Sequence, residues 1–210
     1  MRREQATDVT LAVMARAPEA GRAKTRLVPT LGARGAARLH ESLARRTVAE
    51  ACETDLPVAL WCAPDRRHPF FEACAAQFGV TLRDQPQGDL GERMHRIFDD
   101  ARGSLLLMGS DCPTIDARLI RTCARALDET PAVFLPTEDG GYGLVGLRRP
   151  IPEIFEGMAW GVDTVMSETR RRLTTLGVAM IEPATIWDVD RPEDVVRLAS
   201  SGFPIPAFAD

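Results

Sequence analysis

The stretch SLLLMGSDCP, residues 104–113, decides how the rest of the chain is interpreted. Its four large apolar residues, bounded by small ones, predict a short strand that is buried on both faces, as in a parallel sheet. Pro113 has no N–H to donate and ends the strand. Ligands of open α/β sheets bind beyond the carboxyl ends of the strands, so Asp111 lies where a catalytic or metal-binding carboxylate is expected. The alternative that Asp111 only turns the chain stays open.

Strands and helices alternate along almost the whole chain around this segment. Strand character is found at residues 10–15, 56–62, 80–82, 132–136, 178–181 and 186–190, and helices are expected around 33–53, 67–78, 94–101, 119–127, 152–157 and 162–174, with a last one from about 191. This alternation favours right-handed crossovers and a three-layer α/β/α sandwich with a mainly parallel, Rossmann-like sheet. No repeat or linker divides the chain, so we expect a single domain over 1–210 with its core at about 10–200.

The composition excludes several classes of protein. It is 45% apolar and 27% charged, as in ordinary globular proteins, and the net charge of −4 argues against a nucleic-acid partner. No apolar run reaches the ~20 residues that cross a bilayer, and the N-terminus lacks the apolar middle of a signal peptide. We therefore expect a cytoplasmic protein without a membrane partner. The five cysteines are widely spaced and form no Cys-x-x-Cys pair, which argues against a zinc site and a disulfide framework.

Arginine supplies every basic residue except one, Lys24. This lysine lies in the loop RAPEAGRAKTRL, residues 16–27, directly after the first predicted strand. The cations of the loop are Arg16, Arg22, Lys24 and Arg26, and Gly21 gives its backbone freedom. Backbone N–H groups combined with Lys and Arg are what a di- or triphosphate requires. The loop is neither a Walker A nor a Gly-x-Gly-x-x-Gly motif, and a merely solvated basic loop is the alternative.

Two glycine-containing segments precede or follow other predicted elements. QPQGDLGERM, residues 85–94, leads into a helix, and its glycines would let a flat ligand approach the backbone. The alternative is a loop with Asp89 as the helix N-cap. TEDGGYG, residues 137–143, holds the only tyrosine of the chain, Tyr142. A hairpin that turns at Asp139 and Gly140 would also explain this segment.

Cations and scattered carboxylates at the ends of strands suggest a divalent metal, because Mg²⁺ is usually held by one or two carboxylates together with substrate phosphates. Asp190 can join this set from the last predicted strand, although with Glu193 it also fits a helix capping box. No Ser-His-Asp set is visible. Cys112 lacks a positioned base, which argues against a nucleophilic role.

Five ordered motifs together resemble the DUF2064 family, bacterial proteins of the glycosyltransferase-A type within the nucleotide-diphospho-sugar transferase superfamily. They are GRAKTRL (21–27), GDLGERM (88–94), GSDCP (109–113), DGGY (139–142) and DVDRPED (188–194). The resemblance spans about residues 11–198 and implies the nucleotide-diphospho-sugar transferase fold. This fold serves glycosyltransferases and nucleotidyltransferases. Among the latter, phospholactate guanylyltransferases and molybdenum-cofactor guanylyltransferases are similar in the first loop.

The resemblance also implies roles for individual residues. Contacts to the nucleotide are expected from Arg16, Gly21, Arg22, Lys24, Arg26, Gln85, Gly88, Asp89 and Gly91. Ligands of Mg²⁺ or Mn²⁺ would be Asp111 and Asp190. The acceptor would be bordered by Gly140, Gly141 and Tyr142. Catalysis would depend on Lys24, Asp111 and Asp139, with Glu138 as an alternative base.

Three functions remain open at this point. The first is a metal-dependent glycosyltransferase that moves a sugar from a nucleoside diphosphate sugar to a small-molecule acceptor. The second is a nucleotidyltransferase that joins an NTP to a phosphorylated small molecule and releases pyrophosphate. The third is a nucleotide-binding module without catalysis. Asp111 is followed by Cys112 and Pro113, so the Asp-x-Asp of many glycosyltransferases is absent, which keeps nucleotidyl transfer in view.

Overall fold

Apolar strand segments separated by amphipathic helices build the fold. The computed structural model describes residues 9–204. Its strands are β1 (Val9–Arg16), β2 (Val58–Ala63), β3 (Thr81–Asp84), β4 (Ser104–Met108), β5 (Ala132–Pro136), β6 (Tyr142–Leu147) and β7 (Met180–Ile181). Its α-helices are α1 (Val28–Cys52), α2 (Pro69–Phe78), α3 (Leu90–Asp99), α4 (Ala117–Glu129), α5 (Val165–Thr175) and α6 (Pro192–Ser200). None of the helices in this part of the chain is long and apolar enough to span a membrane.

The strands form one seven-stranded sheet in the order β3-β2-β1-β4-β6-β5-β7. β1 pairs in parallel with both β2 and β4 at the centre. β6 runs antiparallel to its neighbours β4 and β5, and the remaining pairs are parallel. The prediction of a mainly parallel sheet is therefore confirmed. The hairpin alternative for residues 137–143 is also confirmed, because the chain turns back there between β5 and β6.

Helices cover both faces of the sheet, which gives the predicted α/β/α sandwich. α1, α2 and α4 pack on one face together with Leu11 and Val13 of β1. α3 and α5 pack on the other face, to which β1 contributes Ala12. Because side chains alternate along a strand, a central strand contributes apolar side chains to the clusters on both faces of the sheet. This explains the continuous apolar run of β1. A further apolar cluster around Trp187 joins the first half of α1 to α6.

Several boundaries differ from those expected from the sequence. α1 spans Val28–Cys52, but Gly32 has the non-helical angles φ 69° and ψ 166°, so a short additional helical turn precedes the helix expected from residue 33. The strand expected at 178–181 shrinks to the two edge residues of β7. The segment 186–190 contributes only an isolated bridge. The helix expected at 152–157 is a single 3₁₀ turn, Pro152–Ile154.

Candidate active site

The carboxyl ends of β1, β4 and β5 meet at one edge of the sheet, because these strands share a direction. The basic loop that carries Lys24 follows β1, Asp111 follows β4, and Asp139 follows β5. The segment 186–190 returns to the same edge through the parallel bridge between Ile186 and Thr137. Four segments that are far apart in sequence thus deliver charged side chains to one place.

Lys24 and Asp111 form the ion pair at the centre of this edge. Lys24 Nζ lies 2.9 Å from Asp111 Oδ1, and the lysine side chain is only 5% exposed, compared with 43% for that of Asp111. The ammonium also donates to the carbonyl oxygen of Val189, whose own N–H donates to the carbonyl oxygen of Asp111 at 3.0 Å. Lys24 has φ 49°, a left-handed conformation that turns its side chain out of the loop and into the site. The structure thus brings together the two residues on which the sequence argument depended.

The carboxylate of Asp111 has an inner and an outer oxygen. Oδ1 is buried, so the exposed part of the group is its second oxygen. Burial acts to raise the pKa of Asp111, but the charge of Lys24 and the nearby imidazole of His40 outweigh it and hold this pKa well below its ordinary value. Asp111 is therefore an anion at any physiological pH.

His40 supports Asp111 from α1 and was not predicted to be near the site. Its Nδ1 lies 3.6 Å from Asp111 Oδ1, and its Nε2 is 2.9 Å from the carbonyl oxygen of Arg16. The ring is buried, with 5% of its surface exposed. From the sequence, a single histidine on an apolar helix face is read as a packing residue. Only the position of α1 beneath the ends of β1 and β4 makes it part of the site.

Asp188 is a second residue that the sequence argument missed. Thr137 and Ile186 are bridge partners in parallel register, so Asp139 and Asp188, each two residues further on, reach the same level. Burial, followed by the charge of Asp139, raises the pKa of Asp188 to about 6, while Lys24 opposes this shift. The segment Asp188-Val189-Asp190 contains two carboxylates, and either could have been considered from the sequence. Only Asp190 was predicted as a metal ligand.

Asp190 is held by other partners. Its carboxylate forms an ion pair with Arg26. The capping box expected between Asp190 and Glu193 is wrong, since the N-cap residue of α6 is Arg191. Asp194 performs the capping instead, because its Oδ2 accepts from the N–H groups of Asp190 at 3.0 Å and Arg191 at 2.6 Å. A metal-binding role for Asp190 stays a prediction, and Arg26 would have to release it.

The residues predicted to bind nucleotide lie on the β1 to β3 side of the site. Arg16 ends β1, and Gly21 and Arg22 are exposed in the following loop, where Arg22 pairs with Glu19 at 3.1 Å. The amide of Gln85 has a structural use, since its Nε2 donates to the carbonyl oxygens of Ala15 and Trp61, both at 3.0 Å. The side chain of Gln85 thereby ties the end of β3 to the ends of β1 and β2.

The start of α3 confirms the capping alternative for Asp89. The Asp89 carboxylate accepts from the N–H of Glu92, and the Glu92 carboxylate accepts from the N–H of Asp89, each at 2.9 Å. Gly88 adopts φ 117° just before this cap. Gly91 is needed for packing, because a Cβ there would lie 2.7 Å from the carbonyl oxygen of Phe155 and 2.9 Å from the Trp160 ring. A nucleotide contact by these residues stays a prediction.

A pocket of about 340 Å³ opens beside Asp111. Of the predicted acceptor residues, Gly141 and Tyr142 line it, and Asp139 stands at the same wall. Gly140 lies behind the wall, with its Cα against the backbone of Asp163. The phenol of Tyr142 is buried without a hydrogen-bond partner among residues 9–204, and this burial raises its pKa well above the ordinary value.

The charged groups fit a divalent cation of the magnesium type. No cluster of three or more metal-ligating side chains occurs within residues 9–204. Mg²⁺ needs only one or two carboxylates when phosphates supply further oxygens. The outer oxygen of Asp111 and the carboxylate of Asp188 are hard donors of this kind. Burial first, and then the charge of Asp139, raises the pKa of Asp188, and a cation would offset both effects. Burial raises the pKa of the Cys112 thiol well above its ordinary value, which agrees with the argument against a nucleophilic cysteine.

Replacing Asp188 with Asn is expected to flatten the pH dependence of stability. The folded-state pKa of about 6 lies above the unfolded value of about 3.9, so the stabilising protonation is complete below pH 4 and is lost as the pH rises through 6. In EDTA, the free energy of unfolding of Asp188→Asn should therefore exceed that of the parent protein by about 1 kcal/mol at pH 7.5, and the two values should be equal near pH 4. Urea unfolding at several pH values measures this difference. The control Asp128→Asn, on the exposed face of α4, should show no such trend; a similar trend there would contradict the assignment.

Comparison with known proteins agrees with this fold. The chain is 28% identical to a phosphoenolpyruvate guanylyltransferase from Rubrobacter xylanophilus over 187 residues, which are 86% of this chain and 89% of the relative. A candidate nucleotide-diphospho-sugar transferase from Desulfovibrio desulfuricans G20 superposes with a TM-score of 0.83 at 26% identity, over 96% of this chain and 92% of the other. The 4-diphosphocytidyl-2C-methyl-D-erythritol synthase of Anaerococcus prevotii shares the fold, with a TM-score of 0.58 at 9% identity over 92% and 98% of the two chains.

These relatives confirm the prediction that the chain is an enzyme of the transferase class. The family model described as "Uncharacterized protein conserved in bacteria (DUF2064)" matches residues 44–162, more than half of the chain. The matched region includes the strand-terminal Asp111 and the hairpin with Asp139, and the fold is the one that the resemblance implied. The chain belongs to the DUF2064 family.

Proposed function

We propose that this protein is a metal-dependent glycosyltransferase that moves a sugar from a nucleoside diphosphate sugar to a small-molecule acceptor. The observation that carries the proposal is the pairing of Lys24 with Asp111 at 2.9 Å, directly beside a pocket of about 340 Å³. The pair provides a charged site for a diphosphate and its cation, and the pocket provides room for the group that reacts.

The basic loop would bind the nucleotide phosphates. Arg22 is largely exposed on this loop, while the Lys24 side chain is buried and fixed by its contacts with Asp111 and the Val189 carbonyl. An ammonium that is already positioned and desolvated can stabilise the charge that develops on a departing diphosphate without reorganising. Lys24 is thus suited to the transition state and Arg22 to initial binding.

The carboxylates of the site would bind the cation and accept the proton of the acceptor. Asp111 and Asp188 would hold the cation, which supplies Lewis-acid neutralisation of the leaving diphosphate when bound. Asp139 lines the pocket and would accept the proton of the acceptor. Its Oδ1 accepts from the Thr137 hydroxyl at 2.5 Å and from the Gly141 N–H at 3.1 Å, which fixes the orientation of the carboxylate. Because these hydrogen bonds already orient the Asp139 carboxylate, it needs no rearrangement before it accepts a proton from the substrate.

Nucleotidyl transfer is the second candidate. The observation that favours it is the 28% identity with the phosphoenolpyruvate guanylyltransferase over 86% of the chain. In that case the basic loop would clamp a triphosphate, and a phosphorylated acceptor would attack with release of pyrophosphate.

Product analysis separates the candidates. The protein is incubated with NTPs and with uridine, guanosine, thymidine and adenosine diphosphate sugars in Mg²⁺ or Mn²⁺, and pyrophosphate and nucleoside diphosphates are scored separately. We expect nucleoside diphosphate from one sugar nucleotide, with loss of activity in EDTA. Lys24→Met should lower kcat at least about a hundredfold, whereas Arg22→Met should act mainly on KM.

Pyrophosphate released only in the presence of a phosphorylated acceptor would instead establish nucleotidyl transfer. Nucleotide binding without either product would establish a binding module and overturn both enzymatic assignments. An equal loss of kcat in Lys24→Met and Arg22→Met would contradict the special role given to the buried ammonium.

A further inference from the structure

The pocket beside Asp111 is divided into a polar end and an apolar body. Its polar end is formed by Ser110, Asp111 and Asp139, at the termini of β4 and β5. Its body is formed by Met14, Met94, Leu90, Trp160, Val162 and Val165, from the end of β1, the first turns of α3 and the segment before and into α5. Two uncharged hydrogen-bonding atoms, Tyr142 Oη and Trp160 Nε1, also belong to the lining residues and are buried without a partner among residues 9–204. A ligand that fills this space therefore meets carboxylates at one end and apolar or uncharged polar groups elsewhere.

No lysine, arginine or histidine lines the pocket within residues 9–204. The nearest ammonium, Lys24, is 5% exposed and already paired with Asp111. Asp139 lines the pocket as well and adds a second carboxylate to that of Asp111. Arg16, Arg22 and Arg26 of the basic loop are not part of the pocket lining. Apart from the proposed divalent cation at Asp111, an anionic group in the pocket would thus meet carboxylates without a cationic side chain in the described lining.

The rim of the pocket is also apolar. Leu90 and Val162 are 42% and 44% exposed, and they are two of only five large hydrophobic side chains exposed in the described part of the chain. Their occurrence at one pocket, from two different segments of the chain, is a second, independent observation, since exposed apolar side chains gathered at a cavity mark a surface that a ligand covers.

We propose that the acceptor is an uncharged molecule with an apolar body and a hydroxyl group, and that it is not a phosphorylated acid. The inference rests on the proposed glycosyl transfer, from which it takes the identity of the pocket as the acceptor site. In the reaction, the acceptor hydroxyl oxygen forms a bond to the anomeric carbon of the sugar. The bond from that carbon to the diphosphate breaks, the electron pair leaves with the diphosphate, and the hydroxyl proton passes to Asp139.

A matched pair of probes tests the charge preference. 2-Naphthol and 2-naphthyl phosphate share one apolar body and differ by a phosphate group. Calorimetric titration in Mg²⁺, the condition most favourable to an anion, should show 2-naphthol binding at least about tenfold more tightly. Tighter binding of the phosphate ester, or binding of neither probe, overturns the proposal.

An added positive charge at the rim tests whether the probes bind in this pocket. Val162→Lys should improve the affinity for 2-naphthyl phosphate about tenfold, and Leu90→Lys provides the same charge from α3. Both positions are exposed enough to accept lysine without burial of its charge. The matched control is Val196→Lys, at a valine that is 69% exposed on α6 and is not part of the pocket lining. Unchanged binding in both rim variants, or an equal gain in the control, overturns the proposal.

The acceptor chemistry and the proposed glycosyl transfer can be overturned separately. A protein that releases a nucleoside diphosphate from a sugar nucleotide yet prefers the phosphate ester would overturn this inference and leave the proposed function standing. A protein that prefers 2-naphthol but releases no nucleotide product from any donor would overturn the proposed function, and the pocket ligand would then not be an acceptor.

Discussion

Asp111→Asn is expected to lower turnover at least about a hundredfold and to destabilise the fold by about 2 kcal/mol. The catalytic loss follows because the carboxylate is the proposed ligand of the cation and the partner of Lys24 Nζ at 2.9 Å. The structural loss follows because a buried ammonium is left without its counterion. A fully buried pair would lose about 3–5 kcal/mol, and the 43% exposure of the Asp111 side chain reduces the expected cost.

A double variant separates the two losses. Adding Lys24→Met to Asp111→Asn removes the unpaired charge and replaces the ammonium with an apolar group of similar length. Stability should then return most of the way to the parent value, while transfer stays absent. Urea unfolding and product release measure the two quantities independently. An active double variant would remove both residues from the mechanism, and a double variant as unstable as Asp111→Asn would contradict the buried-charge explanation.

The pH dependence of this effect has a defined sign. The folded-state pKa of Asp111 lies well below the ordinary value, so the ionised group stabilises the fold above about pH 4. The stability difference between the parent protein and Asp111→Asn should be constant from neutral pH down to that value. It should then shrink as the pH falls further through the folded-state pKa.

Gly140→Ala is expected to cost about 3–5 kcal/mol or to prevent folding. Gly140 has φ 92°, and a Cβ there would lie 2.0 Å from the carbonyl oxygen of Asp163 and 2.5 Å from its carbonyl carbon. These are backbone atoms, so no rotamer change relieves the contact. The Gly140 carbonyl also accepts from the Met166 N–H at 2.8 Å, so the segment that forms the pocket wall would be displaced together with the turn.

The matched control is Gly161→Ala, in the same wall of the pocket. Gly161 has φ 78°, and an added Cβ would meet no atom within 4 Å. Only the backbone conformational cost of about 1–2 kcal/mol is then expected. Urea unfolding of both variants measures the difference. Equal costs at the two positions would show that the contact with Asp163 does not restrain the pocket wall.

The glycines of the sequence motifs therefore have different physical roles. Gly140 and Gly91 are required by close packing against Asp163 and against Phe155 with Trp160, which the sequence could not show. Gly21 has φ 78° with open space around a Cβ, so its requirement is conformational. A glycine in a motif that suggests a ligand contact can instead be required for the packing of the pocket wall.

Two residues lie near the site although the sequence did not indicate them. Asp188 and Asp190 are alternative carboxylates two residues apart, and their chemistry is identical. The bridge of Ile186 with Thr137 places Asp188 beside Asp139, whereas Arg26 takes Asp190. His40 is a comparable case, since its proximity to Asp111 depends on how α1 crosses the ends of two strands. Neither fact is encoded in local spacing.

The sequence by itself determined the alternation of strands and helices, the direction of most strands, and the segments that end at the ligand-binding edge. These follow from hydrophobic periodicity and from glycine and proline, which act on neighbouring residues. Only the tertiary structure decided which carboxylates face Lys24, why Gly140 and Gly91 are glycines, and how a pocket without lining cations opens beside Asp111. Charge pairing and close packing join residues that are far apart in sequence, such as Lys24 with Asp111 and Gly91 with Phe155, and these contacts are set by the sheet and the helices that cover it.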